Sequence, residues 1–187
     1  QNKLVKRFQD ELGYEYLGNW QYAKGETVNS LGKQNSPILD DEVRKFLKDQ
    51  KKADGKTLRY TNSQIEDVLF QLKKKARLGN AKMSSLMQCN TDLYDTLMMG
   101  IKSQPDPESN HEDVMLFDFE NFTNNNFAIA EEVSYIDPLL GKNKRPDIVV
   151  YVNGIALAVI ELKRSLVNYE EGIKQHLSNE RDFIPSF

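Results

Sequence analysis

Two uninterrupted aliphatic stretches, Ile148 to Val152 and Ile155 to Ile160, meet at Asn153-Gly154. Runs of this length on either side of Asn-Gly predict a β-hairpin closed by a tight turn. Each run carries charge only at its far end: Asp147 on the first, Glu161 and Lys163 on the second. Leu4, Phe8 and Leu12, followed by Tyr14, Tyr16 and Leu17, give a helix of 3.6 period that stops near Gly13. Residues 22–37 are polar and contain glycine, so they read as a loop. Asp40 or Asp41 can cap a helix through Val43, Phe46 and Leu47, which ends in the charged linker 49–56. Thr61 or Ser63 then caps a longer helix with Ile65, Val68, Leu69 and Leu72 on one face. Residues 81–88 and 91–99 predict one or two further helices, apolar at Leu86, Leu93, Leu97 and Met98, with the methionines as core filler.

The texture changes at the breaker-rich stretch 104–110. Beyond it, residues 114–119 and 126–133 read as strands, the hairpin follows, and a helix over 167–180 with Ile173 and Leu177 lies behind the last strand. The expected fold class is α/β (α+β): a mixed central β-sheet of about four or more strands flanked by helices, with a helical N-terminal portion. A mainly helical part, 1–104, is expected to pack on a core of 105–187 in one compact domain.

Composition narrows the function classes. The 187 residues have 39% hydrophobic and 28% charged side chains, as in an ordinary soluble globular chain. The apolar run Ile155 to Ile160 is far short of a membrane span, which takes ~20 residues, and no secretory pattern opens the chain, so no membrane partner and a cytoplasmic location are expected. A single cysteine, Cys89, excludes an internal disulfide framework and reads as a packed thiol rather than a nucleophile. With a net charge of −3, phosphate binding must be local. Basic clusters stand at Lys73-Lys74-Lys75 with Arg77, at 142–145 and at Lys163-Arg164. The first suits the negative end of its helix macrodipole and reads as a solvated face.

The charges of the hairpin are the candidate chemistry. On a strand, Glu161 and Lys163 point one way and Leu162 the other. With a plain two-residue turn, Val152 pairs with Ile155, Asp147 faces Ile160, and the two carboxylates fall on opposite faces. One extra loop residue or one bulge reverses that parity and sets Asp147 directly opposite or diagonal to Glu161. That extra residue is predicted. Two adjacent carboxylates then favour a hard cation between them, Mg²⁺ with Mn²⁺ as an alternative, and the main-chain carbonyl of Leu162 can supply a further oxygen. Such an ion suits metal-assisted phosphodiester hydrolysis, with Lys163 neutralising charge on the phosphate. The same charges also fit plain strand ends that meet water. Neither His111 nor His176 is placed to act as a general base, and no histidine or cysteine stands at zinc-ligand spacing.

Pro146-Asp147, the thirteen residues 148–160, and Glu161-Leu162-Lys163 resemble the signature of the PD-(D/E)xK nuclease superfamily. More specifically, Arg145 to Gly154 followed by Val159 to Lys163 resembles the N-terminal endonuclease domain of the restriction (R) subunit of type I restriction-modification enzymes. The likeness extends through Leu12 to Leu17, 90–100, Phe117 to Asn121 and Asn126-Phe127, and it is weakest in the helical middle. It implies a restriction-endonuclease-like core in which Asp147 and Glu161 bind Mg²⁺ and Lys163 is the catalytic lysine. It also implies cleavage of double-stranded DNA within a complex that includes modification and specificity subunits. A Gln-x-x-x-Tyr element of this branch is matched by Gln175, with Asn179 in place of the tyrosine. A first-helix Glu often completes the metal site, but Glu11 stands near the helix end and is not assigned that role. The sequence holds no Gly-x-x-x-x-Gly-Lys-Ser/Thr loop. It therefore reads as an N-terminal fragment, with any ATP-driven motor in the remainder of the protein. The alternative is a non-catalytic docking or DNA-sensing domain that keeps the nuclease fold.

Overall fold

The computed structural model describes residues 1–21, 35–52, 54–78, 83–136, 143–162, 173, 174 and 177, without the side chains of 77, 78, 83–90, 135, 136, 143 and 144. The chain forms two compact units, one of residues 1–37 with 126–185 and one of residues 38–125. The fold is mixed α/β, with helices α1 (Asn2–Asp10), α2 (Asp40–Asp49), α3 (Asn62–Leu78) and α4 (Met83–Met99). The strands are β1 (Glu15–Asn19), β2 (Ile101–Ser103), β3 (Glu112–Val114), β4 (Phe127–Glu131), β5 (Tyr135–Ile136), β6 (Asn143–Lys144), β7 (Ile148–Val152) and β8 (Ile155–Ile160).

The first unit is built on a four-stranded sheet of order β1-β4-β7-β8. β1 runs parallel to β4, and the β4-β7 and β7-β8 pairs are antiparallel. The N-terminal helix is shorter than its periodicity suggested. Gly13 turns the chain at φ +71°, and Tyr14 to Leu17 lead into β1 instead of extending the helix. Tyr14 and Tyr16 follow the period of two that a strand needs, and both pack with Leu4, Val5 and Phe8 of α1 over Ile129 and Ile148. This helix and strand, expected with the helical first part, thus belong by their contacts to the unit carrying the sheet. On the opposite face, fully buried Tyr151 lies 6.1 Å from the Trp20 ring and donates to the Ser36 carbonyl at 3.1 Å. A hairpin of β5 and β6 also belongs to this unit.

The second unit is inserted in the chain between β1 and β4 and holds α2, α3, α4 and the β2-β3 hairpin. Leu39 stands at the N-cap of α2, with Asp40, Asp41 and Glu42 in its first turn, where carboxylates meet the positive end of the helix. α3 opens with a reciprocal capping box. The Gln64 N–H donates to Thr61 Oγ1 at 3.2 Å, and the Thr61 N–H donates to Gln64 Oε1 at 2.9 Å. Two lysines of α3 have structural partners: Lys73 pairs with Asp40, and Lys75 donates to Thr96 Oγ1 at 2.7 Å.

Several expectations differ from the structure. In the stretch expected to hold one or two helices, Met83–Met99 form one helix, and Met98 and Met99 are exposed rather than core filler. The strand expected over 114–119 is only the end of β3. Asp118 accepts from the N–H groups of Glu120 and Asn121 at 3.0 and 2.8 Å, and these local bonds bend the chain away from a ladder. Most of the helix expected over 167–180 lies outside the described residues; Ile173, Lys174 and Leu177 are helical, with Ile173 and Leu177 exposed. No described helix is long and apolar enough to cross a membrane.

Candidate active site

The hairpin turn is the two-residue connection that Asn-Gly favours. Asn153 and Gly154 have φ of +50° and +82°, as a type I′ turn requires. Val152 pairs with Ile155 and Tyr151 with Ala156. The register then shifts, because Val150 pairs with Ala158, Val149 with Val159 and Ile148 with Ile160, which leaves Leu157 without an opposite residue. The predicted extra residue is therefore a bulge inside β8, not an enlarged turn. The last observed pair is Ile148 with Ile160, and the same register continued by one residue would set Asp147 across from Glu161.

The turn is itself held in place from β4. Buried Asn153 accepts the Asn126 N–H on Oδ1 at 2.7 Å and donates its own N–H to the Asn126 carbonyl at 2.8 Å. One short polar residue thus supplies the positive φ and ties the hairpin to the strand beside it.

At the other end of the hairpin, Asp147 is half-buried behind buried Pro146. Its Oδ2 accepts the Leu162 N–H at 2.6 Å, so the carboxylate spans from the start of β7 to the chain leaving β8. A carboxylate anchored by a main-chain amide loses few rotamers when it takes up a cation. The Asp147 carbonyl accepts from the Glu132 N–H at 3.1 Å and from Gln1 Nε2 at 2.9 Å. Glu161 and Leu162 are half-buried directly after β8. Lys163 and Gln175, the other two candidate catalytic residues, lie outside the described residues, as do His176 and Asn179.

The donor set of this end of the sheet is two carboxylates with a main-chain carbonyl at Leu162, which is oxygen chemistry suited to a hard divalent ion. Among the described residues there is no group of three or more His, Cys, Asp or Glu side chains arranged to hold a metal. Glu11 pairs with Arg7 at 2.9 Å on an exposed face, a local helix-end contact. His111 is exposed on the other unit, and the Cys89 side chain is outside the described set.

Sequence reasoning passed over two residues at the end of β4. Glu131, at the end of β4, is 7% exposed and accepts a short hydrogen bond from the Tyr16 hydroxyl. Burial, and then the hydrogen bond and negative charge of Glu131, push the Tyr16 phenol up to about 12. Glu132 pairs with Arg145, Nε to Oε2 at 2.6 Å. An acidic pair at the end of a buried strand, Glu131-Glu132, was the available signal. Its partners come from residues 16 and 145, and such distant pairings leave no local pattern.

Comparison with known proteins finds related sequences. A family model described as type I restriction enzyme R protein N terminus matches residues 1–187. The HindI endonuclease subunit of a type I restriction enzyme from Haemophilus influenzae is 31% identical over 158 residues, 83% of this chain. A putative type I restriction enzyme MjaIXP endonuclease subunit from Methanocaldococcus jannaschii is 34% identical over 95 residues, 48% of this chain. The matched regions make up only 14% and 9% of those two relatives.

Proposed function

From the premise that the chain belongs to the family of type I restriction enzyme R protein N-terminal domains, we propose that it is the Mg²⁺-dependent DNA endonuclease domain of such an enzyme. Its reaction is hydrolysis of phosphodiester bonds in double-stranded DNA. The observation that supports this reading is the Leu157 bulge, whose register, if continued one residue past Ile148 and Ile160, would bring Asp147 and Glu161 to one face of the sheet, at the end where Asp147 accepts the Leu162 N–H.

Asp147, Glu161 and the Leu162 carbonyl are the groups that would hold the metal. When bound, Mg²⁺ offsets charge on the phosphodiester and makes a nearby water easier to deprotonate. Pro146 and the Leu162 amide hold the Asp147 carboxylate against rotation before substrate arrives. Lys163 is assigned the role of neutralising charge that grows on the phosphate, and Gln175 that of orienting substrate or water. The partners are double-stranded DNA and the modification and specificity subunits, in the cytoplasm. ATP acts through the translocating motor elsewhere in the longer R subunit.

The test is single alanine replacement of Asp147, Glu161 and Lys163 in the assembled enzyme. Cleavage is expected to fall by at least ~10³-fold while ATP hydrolysis continues, since each group is assigned to the chemical step. Unchanged cleavage in any two of the three variants would sink the nuclease reading and favour a docking or DNA-sensing domain.

A further inference from the structure

The residue after β4 has a backbone conformation that L-amino acids rarely adopt. Glu132 sits at φ +53°, and in the hairpin unit its only such non-glycine companion among the described residues is Asn153. Asn153 has an evident reason, a type I′ turn. Glu132 closes no hairpin turn, and it is a long acidic residue with no intrinsic preference for the left-handed region. Such a conformation persists where surrounding bonds over-determine it, and two bonds of Glu132 lead to one segment.

Glu132 grips Arg145-Pro146-Asp147 at both ends. Its main-chain N–H donates to the Asp147 carbonyl at 3.1 Å. Its carboxylate, 15% exposed, pairs with the Arg145 guanidinium, Oε2 to Nε at 2.6 Å. Between these points buried Pro146 has a fixed φ and no N–H. The three residues that carry Asp147 into β7 are thus clamped from β4 independently of the Leu162 amide. Arg145 is half-exposed and would otherwise be free to swing toward any nearby carboxylate, Asp147 included.

We propose that Glu132 is a positioning residue for the metal site: it sets the pose of Asp147 through the backbone and keeps the Arg145 cation off the metal-binding carboxylates. The inference rests on the nuclease reading above. It goes beyond that reading by making metal affinity depend on a residue that touches neither metal nor DNA. Partners of this kind behind a metal ligand change affinity by about 10–100-fold when removed.

The experiment uses the full-length R subunit with three single variants, Glu132→Gln, Glu132→Gly and Asp147→Ala. Mn²⁺ binding without nucleotide is followed by electron paramagnetic resonance, and Mg²⁺ dependence of cleavage is followed in the assembled complex. Glu132→Gly removes the side chain and relieves the positive φ, so it guards against a folding defect. Both Glu132 variants are expected to weaken Mn²⁺ binding about tenfold and to raise the Mg²⁺ concentration for half-maximal cleavage by a similar factor. ATP hydrolysis and cleavage at saturating metal stay close to the parent. Exchange of the charges, Glu132→Arg with Arg145→Glu, should recover part of the lost affinity. Unaltered metal midpoints in both Glu132 variants, with Asp147→Ala inactive and unable to bind Mn²⁺, overturn the positioning role and leave the nuclease reading standing. Retained Mn²⁺ binding and cleavage in Asp147→Ala overturn both.

Discussion

Tyr16 and Glu131 show how a single contact reports on the state of the sheet. Glu131 is buried at the end of β4, and the Tyr16 hydroxyl from β1 is its donor. Tyr16→Phe leaves that carboxylate without the bond and is expected to cost about 1–3 kcal/mol, read from the urea midpoint of this chain at neutral pH. The sign of the pH effect follows from the direction of the shift. The folded phenol is raised from its ordinary 10.0 to about 12, so its contribution is fully present below pH 10 and is lost as pH rises toward 12. The parent should therefore lose more stability than Tyr16→Phe over that interval, measured as urea midpoints against pH. Equal losses would show that the Tyr16 phenol is not the group responsible.

At the scale of the element, the hairpin depends on a count of residues. Side chains alternate along a strand, so the residue that bulges out unopposed decides which side chains of β8 meet those of β7. Leu157, exposed and unopposed, is that residue. Insertion of one alanine after Leu157, which a single bulge cannot absorb, adds no buried apolar group and keeps the Asn153-Gly154 turn, so the sheet is expected to fold with Ile160 across from Asp147. Glu161 would then face away from Asp147. Cleavage by the assembled enzyme should fall to background with ATP hydrolysis kept, whereas Leu157→Ala, which keeps the count, should cleave normally. Equal activity of the two variants would remove the bulge from the explanation.

The whole chain joins residues from both of its ends into one sheet. β1, from residues 15–19, runs parallel to β4, and α1 covers Ile129 and Ile148 from one face. The 88 residues 38–125 between these segments make a second compact unit. Removal of residues 1–20 would uncover the Ile129-Ile148 cluster and leave β4 as an edge strand. Loss of cooperative unfolding and of amide protection in β4 is the expected outcome, followed by hydrogen exchange. Retained protection in β4 would mean that the antiparallel strands hold the sheet alone. The family match spans both units, while the matched regions are 14% and 9% of the two relatives' length.

Much of this was legible in the sequence because it is local. Asn153-Gly154 specifies its turn, aliphatic runs specify β7 and β8, and the period of apolar residues specifies α2 and α3. Even the need for one extra residue followed from parity, since Asp147 and Glu161 cannot share a face otherwise. Where that residue sits was decided by tertiary structure: the turn is tied to Asn126, so the irregularity falls within β8. The strand at Tyr14 to Leu17 escaped helical periodicity because its reason is a partner more than 100 residues away. The Glu132 grip on Arg145 and Asp147 is likewise a contact between strands, and only a folded sheet brings those residues together.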